Sequence, residues 1–166
     1  MTIYNNTVLV LIHNLKAMHK FLHKAETHCE DRKIDKSVML GMRLAPDMFN
    51  LMRQVQLVTD FGKGCGARLA GVAVPSFPDE ETTFEGLYAR IDRCVAFLEA
   101  LDKSAFVGAE VRDVTMKVSG KDMTLPGTDY VNSAALPNFY FHMATAYNIL
   151  RHNGVVLGKG DFMGRG

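Results

Sequence analysis

Between Tyr4 and about Glu30 the apolar positions Val8, Leu11, Leu15, Met18, Leu22, Ala25 and Cys29 recur in steps of three and four. That spacing places them on one stripe of a helix, with a seam of the kind bundles bury. At ~1.5 Å per residue the helix would run about 40 Å, a full bundle length. Asp31 to Arg43 reads as a connection with a short helical turn around Val38 to Met42. A second helix is predicted from Pro46, whose missing N–H suits a first turn, with Asp47 at the positive end of the dipole. It continues through Phe49, Met52, Val55 and Leu69. Gly62, Gly64 and Gly66 inside it each lower helix propensity by about 1 kcal/mol relative to Ala, and close approach of a neighbouring helix is the expected reason. A phosphate loop is set aside, because GKGCG follows a helical pattern rather than a strand and lacks the terminal GKS or GKT.

Gly71 to Glu81, with Pro75 and Pro78, reads as a linker across the bundle end. Thr82 followed by Glu85 has the capping-box pattern, and Phe84, Leu87, Ile91, Cys94, Leu98 and Leu101 form the seam of a third helix. Asp102 to Val111 reads as loop. Val114, Met116 and Val118 alternate with polar residues, Ser119-Gly120 supplies a tight turn, and Met123 and Leu125 alternate again, which predicts a β-hairpin. Such a hairpin is marginal alone and is expected to lie against the helices. A fourth helix is predicted from Asp129 to His152, capped by Thr128, kinked at Pro137 and ended by Asn153-Gly154 in left-handed geometry. The fold class is therefore all-α: one helical-bundle domain over residues 1–166 with a small β-hairpin before the last helix.

Composition narrows the function classes. Lys and Arg total 19 against 18 Asp and Glu, so no overall positive field exists to neutralise phosphates, and nucleic acid is not an expected partner. Cys29, Cys65 and Cys94 are far apart, odd in number and form no CxxC pair, which argues against a disulfide framework or thiolate zinc site and fits a reducing cytoplasm. The opening MTIYNNTVLVLIHN lacks a basic leader, and the apolar run Val8 to Ile12 is too short to span a bilayer, so neither export nor membrane insertion is expected. Ten Met and ten Phe without a Trp suggest a pliant core able to accommodate a ligand.

Two polar lines carry the candidate chemistry. Asn138, His142 and Thr145 share one face of the fourth helix among apolar neighbours, where an unpaired buried polar group would cost roughly 1–3 kcal/mol. Arg53, Gln56 and Asp60 recur on the second helix; the commonplace reading is a solvated face, and the functional one makes them a pocket wall. The central expectation is that these lines face one another and orient a small molecule. His142 alone is more often a hydrogen-bonded core histidine than a ligand, and an Asn amide oxygen is a poor transition-metal donor. His19 and His23 have the spacing of a metal clamp but no HExxH glutamate, which favours a solvated face. His152 suits a helix C-terminus. Cys65, near Lys63 and Arg68, has the only electropositive thiol setting, while Cys29 and Cys94 read as packing residues. The tail LGKGDFMGRG reads as an irregular loop.

LAPDMF (Leu44 to Phe49), RQVQ (Arg53 to Gln56), ARLAG (Ala67 to Gly71), VPSF (Val74 to Phe77), ETTF (Glu81 to Phe84) and ALPNFYFH through ILRHNG occur in order over nearly the whole chain. In these blocks the sequence resembles a bacterial domain-of-unknown-function family within the DinB/YfiT-like superfamily. The resemblance implies an up-down-down-up four-helix bundle, frequent homodimerisation, and kinship with metal-dependent enzymes, some of them thiol transferases. Those enzymes hold a divalent metal with one histidine from helix two and two from helix four. Here the helix-four pair falls near Asn138 and His142 and the helix-two contribution near Asp60; only His142 keeps the expected side-chain type. Two functions follow as expectations: a small-molecule binder using Arg53, Gln56, Asp60, Asn138 and His142, or a hydrolase or transferase holding Ni²⁺, Zn²⁺ or Mn²⁺ through His142 and Asp60. Whether the protein is an enzyme stays open, as does a purely structural role through a dimer face.

Overall fold

The structure is a computed structural model and describes residues 2–118 and 120–165. Helix α1 spans Ile3–Arg32; the Thr2 side chain accepts from Asn5 N–H at its start, and Lys33, at φ 56°, closes it in left-handed geometry. All seven seam positions from Val8 to Cys29 are fully buried, so the three-four spacing is the core face. After the short α2 (Lys36–Gly41), α3 spans Leu51–Ala70. It starts later than Pro46, because residues 44–48 turn and the Asn50 side chain caps the helix by accepting from Arg53 N–H at 2.9 Å. Helix α4 spans Phe84–Glu99, capped by Thr83 rather than Thr82, with Thr83 Oγ1 accepting from Gly86 N–H at 3.1 Å.

Contacts between helices fix their directions. Lys16 pairs with Glu99 and the Tyr88 hydroxyl donates to Glu26, so α1 and α4 run antiparallel. Thr59 meets Arg90 and Cys94 while Gly66 lies against Leu98, so α3 and α4 run parallel. Gln54 meets His142 and Arg68 meets Tyr130, so α3 is antiparallel to the last helical run. The result is the up-down-down-up order.

Parallel α3 and α4 force a correction to the linker. It does not cross a bundle end; residues 72–83 return along the bundle, and at ~3.3 Å per extended residue they are long enough to span α3. Its anchor is Arg90 of α4, only 1% exposed. Arg90 donates through Nε to Thr59 Oγ1 at 2.7 Å, through Nη1 to the Pro78 carbonyl at 3.0 Å and Glu81 at 3.1 Å, and through Nη2 to Asp60 at 2.9 Å. Asp79 lies 3.0 Å from the same Nη2 and also pairs with Arg53, and Lys63 pairs with Asp60. Phe77 sits under the Lys63, Arg90 and Arg93 cations.

The glycines of α3 answer the propensity question. A Cβ at Gly66 would lie 2.5 Å from Leu98 and 2.8 Å from Leu101, and one at Gly62 would touch Cys94, Phe139 and Leu15. Both mark close helix approach.

A 3₁₀ turn (Lys103–Phe106) leads to β1 (Asp113–Val118) and β2 (Lys121–Pro126), antiparallel with Val114 opposite Leu125 and Val118 opposite Lys121. Gly120 has φ 81°, as a tight turn requires; Ser119, the other predicted turn residue, lies outside the described residues. Among the described residues of the hairpin only Val114 is buried. The last helical run comprises α5 (Gly127–Tyr130), a π turn (Val131–Ala135) and α6 (Leu136–His152). Thr128 is not its cap: the run starts at Gly127, and Thr128 N–H donates to the Glu110 carbonyl. Just before Pro137 the ladder widens into the π turn, which relieves the clash of the ring with the preceding turn. Gly154, at φ 86°, takes the left-handed position after Asn153. The tail is not wholly irregular, since α7 (Lys159–Phe162) forms with Asp161 accepting from Gly158 N–H at 2.8 Å and pairing with Lys24.

Replacing Arg90 with Met is expected to remove about 3 kcal/mol of stability, because breaking a buried ion pair strands its partners, and to speed amide exchange in residues 77–82. Urea denaturation with hydrogen exchange measures both. An unchanged midpoint and unchanged exchange would refute the anchoring role.

Candidate functional site

Helix α6 presents Asn138 and His142 one turn apart, and the partner of His142 on α3 is Gln54. His142 Nδ1 lies 2.8 Å from Gln54 Oε1, and both side chains are buried. The orientation of the Gln54 amide follows from its other bond, Nε2–H to the Phe49 carbonyl at 3.1 Å. A carbonyl only accepts, so the amide nitrogen faces Phe49 and the oxygen faces the ring. Nδ1 therefore carries the imidazole proton, and Nε2 keeps a lone pair with no protein partner among the described residues. The Phe61 ring lies nearly parallel to the imidazole, at 12° with centroids 5.5 Å apart. Burial lowers the His142 pKa below 6.5, and the Arg53 charge acts in the same sense.

The other predicted site residues go elsewhere. Asn138 Nδ2 donates to the Ala134 carbonyl at 2.7 Å and Thr145 Oγ1 to the Phe141 carbonyl at 2.6 Å, so both side chains serve their own helix. Arg53 pairs with Asp79 and donates to Gln56 Oε1 at 3.3 Å; Gln56 Nε2 donates to Glu81 at 2.9 Å; Asp60 accepts from Lys63 and Arg90. This line faces the linker and α4, not α6. Gln54 and Gln56 differ by roughly 200° around the helix axis, which is why one can meet α6 while the other meets the linker. The sequence carried a signal for Gln54: it interrupts the apolar series Leu51, Val58, Cys65 and Leu69 at helical spacing, and an amide within a buried seam needs a partner.

Beside this pair, a cavity of about 340 Å³ opens between α3, β1 and the π turn. Phe61 and Arg68 form its α3 wall, Met116, Lys117 and Val118 its hairpin wall, and Tyr130, Ala134, Ala135 and Asn138 its third side. Arg68 Nη1 donates to the Tyr130 hydroxyl at 3.3 Å. Burial pushes the Tyr130 phenol up to about 12, so it stays protonated at neutral pH. A larger depression of about 530 Å³ at the bundle end, bordered by Thr2, Tyr4, Lys103 and Phe106, touches none of these polar pairs.

The model of a domain-of-unknown-function family, DUF1993, matches residues 3–163. The chain belongs to the DUF1993 family. It is also similar to the crystal structure of a DinB family member protein from Shewanella denitrificans, with 39% identity and a TM-score of 0.91 over 96% of this chain and 90% of that one. No curated protein matches the sequence. The DUF1993 bundle is thus DinB-like, and its function is unassigned.

The divalent metal implied by the wider superfamily does not fit the residues of this DUF1993 member. Among the described residues no three His, Cys, Asp or Glu side chains converge on a point where an ion could sit. His142 meets Gln54, a neutral amide, and Asp60 is bonded to two cations. His19 lies 3.6 Å from Asp92, and His23 stacks on Tyr88 with centroids 3.9 Å apart, so this pair packs against α4. The three free cysteines are buried, and burial raises the Cys65 and Cys94 thiols to about 12, which removes the nucleophile reading. Among the described residues no helix is long and apolar enough to cross a membrane.

The lowered pKa of His142 has a defined effect on stability. Below about 6.5 the unfolded chain takes up a proton that the native imidazole resists, so stability present above that pH is lost as pH falls through the native value. His19, also lowered by burial, acts with the same sign. The unfolding free energy of the native chain is therefore expected to decline more steeply from pH 7 to pH 5 than that of His142→Gln. Equal slopes in urea titrations across that range would contradict the assignment.

Proposed function

We propose that this protein binds a small organic molecule in the cavity between α3, the hairpin and the π turn, with Phe61, Met116 and Val118 as apolar walls and Asn138 as a polar border. The observation that supports it is the position of a ligand-sized cavity directly against a π turn. Pockets of this volume suit metabolites, and π turns recur at functional sites. His142 stands behind Phe61 with its Nε2 lone pair uncommitted, a candidate base near the cavity. Arg53, Gln56 and Asp60 enter this reading only by holding α3 to the linker. The reading also takes the protein as a homodimer of the cytoplasm, supported by its DinB-like bundle and its three free thiols; a monomer mass in sedimentation at micromolar concentration would remove the dimer. The alternative, a metal-dependent hydrolase or transferase, rests on superfamily kinship alone.

Thermal-shift screening with a metabolite set tests the cavity. A ligand present at 100 times its dissociation constant stabilises the native state by about 2.7 kcal/mol, and Ala134→Phe, which fills the cavity, is expected to abolish the response. A filled variant that responds like the native chain would sink the proposal.

A further inference from the structure

Arg68 is the arginine on the wall of this cavity. Arg53 and Arg90 pair with carboxylates, and Arg43, Arg112 and Arg151 donate to backbone carbonyls. Arg68, half-buried, bonds only the Tyr130 hydroxyl, and among the described residues no carboxylate lies within ion-pair distance of it. A cation in the last turn of a helix ordinarily serves the negative dipole end. The Arg68 side chain instead leans back one turn over Gly64, where a Cβ would stand 2.5 Å from Nη1. Gly64 thus provides a cradle that holds the guanidinium on the cavity wall.

The neighbouring groups extend the pattern. The Tyr130 oxygen accepts from Arg68, and its own proton has no acceptor among the described residues. Lys117, on the hairpin wall, is exposed and paired with Asp122 at 3.1 Å, and among the described residues no acidic side chain lines the cavity. The polar end of this cavity therefore offers donors and positive charge, with the neutral Asn138 amide as a border and an otherwise largely apolar wall.

Building on the cavity reading above, we propose that the ligand is a small amphipathic anion whose carboxylate or phosphate head is held by the Arg68 guanidinium and the Tyr130 hydroxyl, with its apolar body against Phe61 and Met116. A planar guanidinium gives two parallel charge-assisted bonds to such a head, and partial burial limits competition from water.

Titration calorimetry at neutral pH with phenylbutyrate, phenylbutyramide and phenylethyl phosphate tests this on the full chain and on the Arg68→Met, Gly64→Ala and Ala134→Phe variants. At least one anion is expected to bind the native chain about tenfold or more tighter than the amide, and the tighter of the two anions identifies the head group. Arg68→Met should erase that preference, and Gly64→Ala should weaken anion binding by displacing the guanidinium, even if Arg68→Met fails to fold. Amide binding equal to that of both anions, or anion affinity unchanged in the Arg68 and Gly64 variants, overturns the anion assignment and leaves the cavity reading standing. Binding by none of the three probes overturns the anion assignment as well, and unaltered binding in Ala134→Phe overturns both readings.

Discussion

The buried Arg90 guanidinium is the constraint on which the arrangement of helices depends. Because α3 and α4 run parallel, the chain must travel back along the bundle between them, and an extended segment has no hydrogen-bond ladder of its own to hold it. Arg90 supplies that hold by bonding Thr59 and Asp60 of α3 together with Pro78, Asp79 and Glu81 of the linker. The net gain over a well-packed apolar group in such a place is near break-even, yet losing one partner of a buried pair is expensive. The network therefore acts as a selector. It disfavours arrangements in which the linker leaves its groove, more than it raises the stability of the correct one.

This commitment divides α3 into two faces with different tasks. Arg53, Gln56 and Asp60 are spent on the linker and α4, while Gln54, Phe61 and Arg68 remain to meet the last helical run. The glycine series serves both faces. Gly66 lets α4 approach, Gly62 admits Phe139 of α6, and Gly64 gives room to the Arg68 head. Each position forgoes some helix propensity, and the close packing on either side offsets it.

Much of the fold was readable from spacing alone. The α1 seam is buried at every predicted position, the hairpin lies where alternation placed it, and four long helices occur in the expected order. Helix starts were less legible where two signals competed: Pro46 with Asp47 resembles a first turn, but Asn50 offers a side-chain acceptor at the true start. The polar line on α3 was visible as a line, though periodicity does not say which neighbour a face meets. That depended on the direction of α4 and hence on the path of the linker. Its polarity marks Asn138 as a site candidate, yet its amide bonds the Ala134 carbonyl, a local use that Asn adopts readily within a helix.

The π turn ties the helix problem to the cavity. Four-residue steps on an α-helix precess by about 40° per turn, so Tyr130, Ala134 and Asn138 would fan over about 80° of the helix surface. A turn closed by i→i+5 bonds takes up part of that drift, and all three side chains line the same cavity. Pro137, which cannot donate to the preceding turn, makes the wider register the less strained choice there. The residue that disrupts the regular ladder is thus also the one that aligns the wall, and the tyrosine it brings into line is the partner of Arg68.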